Sequence, residues 1–166
     1  MRKASQTLQF RDGAGAGMRY HGRMAEIVAG LKREENLLVT NEIAIGFLGV
    51  EAARVLSTPH LIGHLELTAR NLLKERLEEG HDSVGSRVEL RHLAATPVGM
   101  QVRLVAEVTA VDGRRVCFRV EAFDEREKIA EGTHERVVIE VTRFATRVQA
   151  KAVGLPPVAP RDETCR

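Results

Sequence analysis

The chain predicts an α+β fold in which one long central helix is wrapped by a curved antiparallel sheet. Three observations point there. A single long amphipathic helical run starts at Ser57-Thr58-Pro59. Four runs of alternating apolar and polar residues follow it without another helix between them. Tight-turn residues separate those runs, which marks hairpins rather than crossovers.

The helix signal comes first. A hydroxyl at the N-cap followed by proline at the first helical position is a strong start. The run is expected to continue to Glu79 and stop at Gly80, the usual residue just past a helix end. At 100° per residue Leu61, Ile62, Leu65, Ala69, Leu72 and Leu73 gather on one face, while His60, Gly63, His64, Arg70, Asn71 and Lys74 lie mainly on the other. A helix with that stripe must lie on something flat and apolar.

The strand runs are SVGSRVELRHLAA (83–95), MQVRLVAEVTAV (100–111), RRVCFRVEAFDE (114–125) and EKIAEGTHERVVIEV (127–141). Thr96-Pro97-Val98-Gly99 and Asp112-Gly113 supply turns between them. Ahead of the helix, NLLVTNEIAIGF (36–47) reads as a first strand, and GFLGVEAARVL as a short turn or helical lid. Residues 1–23, with GAGAG at 13–17, read as a flexible leader, and Met18 or Met24 is an alternative start. Residues 24–148 form the domain, and 149–166, ending LPPVAPRDETCR, read as a disordered tail.

Composition narrows the function classes. With 166 residues there is room for one domain with a real core. The 25 basic and 23 acidic side chains nearly cancel, and aromatics are only 4%, so neither phosphate affinity nor base stacking argues for a nucleic-acid partner. Cys117 sits in a strand run and Cys165 in the tail, which leaves no disulfide framework and no cysteine metal site. No apolar run reaches the roughly 20 residues a membrane span needs, and no signal-peptide pattern is seen, so the expected location is cytoplasmic.

Three polar residues could carry chemistry. Glu66 falls beside the apolar stripe, where a partly desolvated carboxylate is the stronger base; the competing reading is a surface glutamate paired with Arg70 at i+4. Thr58 at the helix start can serve as a cap, yet a helix N-terminus also suits a developing oxyanion. His92 alternates with Leu90 and Ala94, so it is either a core histidine or a group that orients a carboxylate and moves protons. His60 and His64 stand four apart, but the zinc-protease pattern needs glutamate where Leu61 stands, so no metal is expected. His134 and Arg136 alternate onto one face and could meet a substrate or a partner subunit.

At these residues the chain resembles the hotdog-fold acyl-CoA thioesterases of the fluoroacetyl-CoA thioesterase-like family. The matching phrases are VLSTPHLIGHLE (55–66), SVGSRVELRHLAATPVGM (83–100), VDGRRVCFRVEAFDE (111–125) and IAEGTHERVVI (129–139). The resemblance implies a hotdog fold and a homodimer with sheets joined edge to edge, and it leaves open whether two dimers associate. It implies Thr58, Glu66 and His92 as the catalytic set, with Gly85, Val84, Arg136 and Phe47 along the substrate. It implies hydrolysis of a small or medium acyl-CoA, with coenzyme A as part of the substrate and no separate cofactor. Phe47 is the only aromatic in the lid segment, so a more open acyl pocket is expected. A hotdog enoyl- or hydroxyacyl-CoA hydratase and a non-catalytic acyl-CoA binding module are the alternatives.

Overall fold

The computed structural model describes residues 27–46, 49 and 53–153. Five strands form one sheet: β1 (Lys32–Leu38), β4 (His81–His92), β5 (Gln101–Asp112), β6 (Arg115–Phe123) and β7 (Lys128–Glu140), in the order β1-β5-β6-β7-β4. Every neighbouring pair is antiparallel. Helix α1 (Thr58–Lys74) lies on this sheet, and β2 (Ala44–Ile45) pairs with β3 (Val55–Leu56) beside it. A second helix, α2 (Val141–Ala152), follows β7 directly.

The core forms where the two periodicities meet. Along β5 the inward residues are Val102, Leu104, Ala106 and Val108, and along β6 they are Val116, Phe118, Val120 and Ala122, all buried. They pack under Leu61, Leu65, Ala69, Leu72 and Leu73 of α1, the stripe read from the sequence, with Ile62 only half-buried. At about 25 cal/mol per Å² of apolar surface removed from water, this interface supplies the main drive to fold.

Three expectations shift. The first strand is Lys32–Leu38, not 36–47, and residues 41–43 form a short 3₁₀ turn. Two of its three inward positions, Arg33 and Glu35, are charged and only Leu37 is apolar, so the strand carries little apolar alternation. Glu35 is held inside by Asn71 Nδ2 at 2.9 Å and the Thr68 hydroxyl at 3.1 Å, and these bonds hold its carboxyl below the usual range against the opposing effect of burial. Helix α1 ends at Lys74 rather than Glu79. Beyond it Leu77 N–H still bonds the Leu73 carbonyl, and the chain turns through Gly80 at φ 81° into β4. The third difference is α2, where a strand end and a tail were expected. Its first amide bonds the Gly80 carbonyl at 2.9 Å, and it has no buried residue. Among the described residues no helix is long and apolar enough to cross a membrane.

Candidate active site

The start of α1 sets the first half of the site. Ser57, not Thr58, is the N-cap, and Thr58 is the first helical residue with Pro59 behind it. The Ser57 hydroxyl lies 2.6 Å from His60 Nδ1 and makes no cap bond to the first-turn amides. Thr58 is therefore released from capping. Its hydroxyl meets His92 Nδ1 at 2.9 Å, joining the helix start to the last residue of β4. His92 Nε2 is buried and has no hydrogen-bond partner among the described residues. One ring nitrogen is committed to Thr58 and the other is left for a group outside this set.

The second half lies two turns along α1, roughly 12 Å down the axis at 1.5 Å per residue. Glu66 is not paired with Arg70, because Arg70 makes a bidentate contact with Asp82. The Glu66 side chain is 40% exposed and forms no ion pair with a lysine or arginine among the described residues. It sits over Gly85, where a β-carbon would fall 2.6 Å from its Oε1 and 3.3 Å from His134 Cε1. Glycine there makes room for the carboxylate. A bulge between Gly85 and Arg87 breaks the β4–β7 register at that point.

Behind Glu66 lies a buried polar layer. His134 is 1% exposed and Arg136 4%. The Arg136 guanidinium donates to Ser83 Oγ at 2.9 Å, the Ser83 carbonyl at 2.7 Å, the Glu66 carbonyl at 3.2 Å and His134 Nε2 at 3.1 Å. A guanidinium cannot accept, so His134 Nε2 must be the acceptor. The proton is then on Nδ1, which donates to the Arg87 carbonyl at 2.8 Å. Burial pushes the His134 imidazole below its usual range, with Arg136 adding to the shift while the Arg87 carbonyl and Glu66 oppose it. Burial likewise lowers the Arg136 guanidinium, against the nearby Glu66 and Asp82 charges. All four hydrogen-bond acceptors of Arg136 are neutral groups.

Within one chain, then, Thr58 joins His92, and Glu66 joins Gly85, His134 and Arg136. No hydrogen bond or ion pair connects the two clusters among the described residues. Val84 is half-buried beside Gly85 and pairs with Val137. Phe47 lies outside the described residues. Sequence reading placed His134 on the face of Arg136 but missed Ser83, whose hydroxyl and carbonyl clamp the guanidinium. Its only signal was period two with Gly85 on the edge strand, which a lone serine shares with any solvated strand.

Known proteins resemble this chain in sequence and in fold. A family model described as fluoroacetyl-CoA-specific thioesterase matches residues 39–142. The fluoroacetyl-CoA thioesterase of Streptantibioticus cattleyicolor is 38% identical over 101 residues, 61% of this chain and 73% of that protein. A solved structure of a fluoroacetyl-CoA thioesterase superposes with a TM-score of 0.69 at 31% identity, covering 76% of this chain and 98% of that one. A thioesterase superfamily member from Thermus thermophilus gives 0.70 at 34% identity, covering 77% and 95%. A hot-dog-like protein from Thermanaerovibrio acidaminovorans gives 0.69 at 28%, covering 76% and 94%. The long helix on an antiparallel sheet is thus a hotdog fold, and the chain belongs to the fluoroacetyl-CoA-specific thioesterase family.

Proposed function

We propose that this protein hydrolyses a small or medium acyl-CoA thioester to a carboxylic acid and free CoA. The observation that carries the reading is Glu66: a half-exposed carboxylate without a lysine or arginine partner among the described residues, over a strand glycine that leaves it space. Glu66 removes a proton from water as it attacks the thioester carbonyl, or attacks the carbonyl itself to give a mixed anhydride that water then opens. Either way the carbonyl oxygen gains negative charge, and the uncapped amides at the start of α1 are donors for it. Collapse expels the CoA thiolate, which takes a proton through His92. Thr58 sets the His92 ring by its 2.9 Å contact. Coenzyme A arrives with the substrate and the chemistry calls for no separate cofactor.

The two half-sites also support a homodimer. β4 is an edge strand, exposed from Gly85 to Glu89. Val88 and Leu93 on and just past it, and Leu67 beside Glu66, are large exposed hydrophobics that a second copy would cover. Antiparallel pairing of two β4 strands about a two-fold at Glu89, with the bulge between Gly85 and Arg87 taking up one residue, brings Gly85 of one subunit opposite His92 of the partner subunit. That register brings Glu66 of one chain toward the Thr58–His92 pair of the other.

The test is CoA release from a graded acyl-CoA panel that includes fluoroacetyl-CoA, with Glu66→Gln and His92→Ala alongside wild type. A loss of about 10²-fold or more in kcat for both variants is expected, the scale of a lost acid–base group. Rates equal to wild type would remove the assignment. Loss of an enoyl-CoA without thiol release would point to hydration, and CoA binding without turnover to a binding module.

A further inference from the structure

Resting on the hydrolytic reading of Glu66, we infer that His134 is a positioning residue, held by Arg136 as a hydrogen-bond acceptor so that it cannot pair with the catalytic carboxylate. The geometry carries this. His134 Nε2 stands 3.8 Å from Glu66 Oε1, one small ring rotation from a direct bond. Arg136 occupies that nitrogen at 3.1 Å, and the Arg87 carbonyl occupies the other at 2.8 Å. Both nitrogens are used, the ring is neutral, and its single N–H, on Nδ1, is spent on the Arg87 carbonyl and unavailable to Glu66. The Phe118 ring, with centroids 6.2 Å apart, closes another side.

The same guanidinium holds the main chain of Glu66 through its carbonyl, so one buried cation fixes both the backbone that carries the base and the imidazole beside it. A charged or freely rotating His134 would donate to Glu66, tie down its oxygen and weaken it as base or nucleophile. Glu66 from α1 and Arg136 from β7 are the charged groups that face the ring. From β4, Arg87 presents its carbonyl, while its guanidinium pairs with Glu89 and Glu135 at the surface. Glu135, next along β7, is also bonded to Arg115.

Acid therefore acts on the site through the ring: protonating His134 at Nε2 breaks its bond from Arg136 and offers Glu66 an ion pair. That event lies on the acid side of neutrality, since burial favours the neutral ring.

Glutamine is the informative replacement, because its amide carbonyl can accept from Arg136 and its NH2 can donate to the Arg87 carbonyl without ever gaining a proton. His134→Ala is expected to lose about 10²-fold in kcat with KM little changed, the cost of misplacing a reacting group. His134→Gln should recover most of that loss and move the acid limb of the kcat profile to lower pH. Nitrogen NMR of the wild-type ring at neutral pH should report the Nδ1–H tautomer whether or not turnover is seen. An Nε2–H or charged ring, or a His134→Gln profile that superposes on wild type, overturns the inference. Absence of turnover in wild type with the Nδ1–H tautomer present would instead strike at the hydrolytic reading.

Discussion

Gly85 decides more about this site than any side chain near it. The position needs no unusual φ; what it needs is the absence of a β-carbon. An alanine there would set its methyl 2.6 Å from Glu66 Oε1, closer than such contacts can be, and 3.3 Å from His134 Cε1. The carboxylate is the flexible end of its side chain, so it would swing away and the strand would hold. Gly85→Ala is therefore expected to cut kcat/KM by about 10²-fold, the cost of misplacing a reacting group, while the thermal midpoint moves little. A large drop in midpoint with activity per folded molecule intact would contradict this account. At this scale the sequence was only partly legible. Each of Thr58, Glu66 and His92 reads alone as a cap, a surface acid and a core histidine. Their joint spacing, with Gly85 between, is what separates them from ordinary residues. What stayed hidden was the company Glu66 keeps: Arg70 turns to Asp82, and Ser83 clamps Arg136, pairings between elements that no local pattern encodes.

Elements were legible where burial imposes a period and illegible where polar bonds replace it. β6 alternates cleanly, and β5 does so as far as Val108 apart from the buried Val105, because one face meets α1 and the other meets solvent. β1 was misplaced because its inward Glu35 is satisfied by Thr68 and Asn71 instead of by apolar packing. α2 was missed because it buries nothing, so no stripe had to match a core. The β4–β7 pair adds a constraint that pattern reading cannot see. At Gly132, paired with Leu90, a β-carbon would lie 2.1 Å from the Glu89 carbonyl oxygen and 2.9 Å from Leu90 Cα. Those are backbone atoms, and they cannot step aside without opening the ladder. Gly132→Ala should therefore cost about 1–3 kcal/mol, the usual range for overpacking, read as a lower urea midpoint with unchanged m-value. Because this ladder positions both Gly85 and His92, activity should fall alongside stability, unlike the Gly85 variant. An unchanged midpoint would show that the two strands tolerate separation there.

At the scale of the whole molecule the open question is how two clusters, set at opposite ends of eight helical residues, act as one site. A single chain supplies Thr58 with His92 in one place and Glu66 with Gly85 in another. Under the proposed edge pairing of β4 about a two-fold, the operation that joins the strands would also carry each cluster onto its complement. The arrangement has a consequence that a one-chain site does not share. Glu66→Gln and His92→Ala, each inactive alone, would restore function when mixed and allowed to exchange. A mixed dimer holds one site with intact Glu66 and intact His92, and a second site lacking both. Random exchange makes half of the dimers mixed, so about a quarter of wild-type activity should return if two-fold pairing forms the sites. Mass measurement in solution should give a dimer for both variants, and Val88→Asp should shift it toward monomer by placing a charge on the paired edge. If the mixture stays as inactive as its components while subunit exchange is complete, Glu66 and His92 serve the same chain and the edge-paired site is wrong.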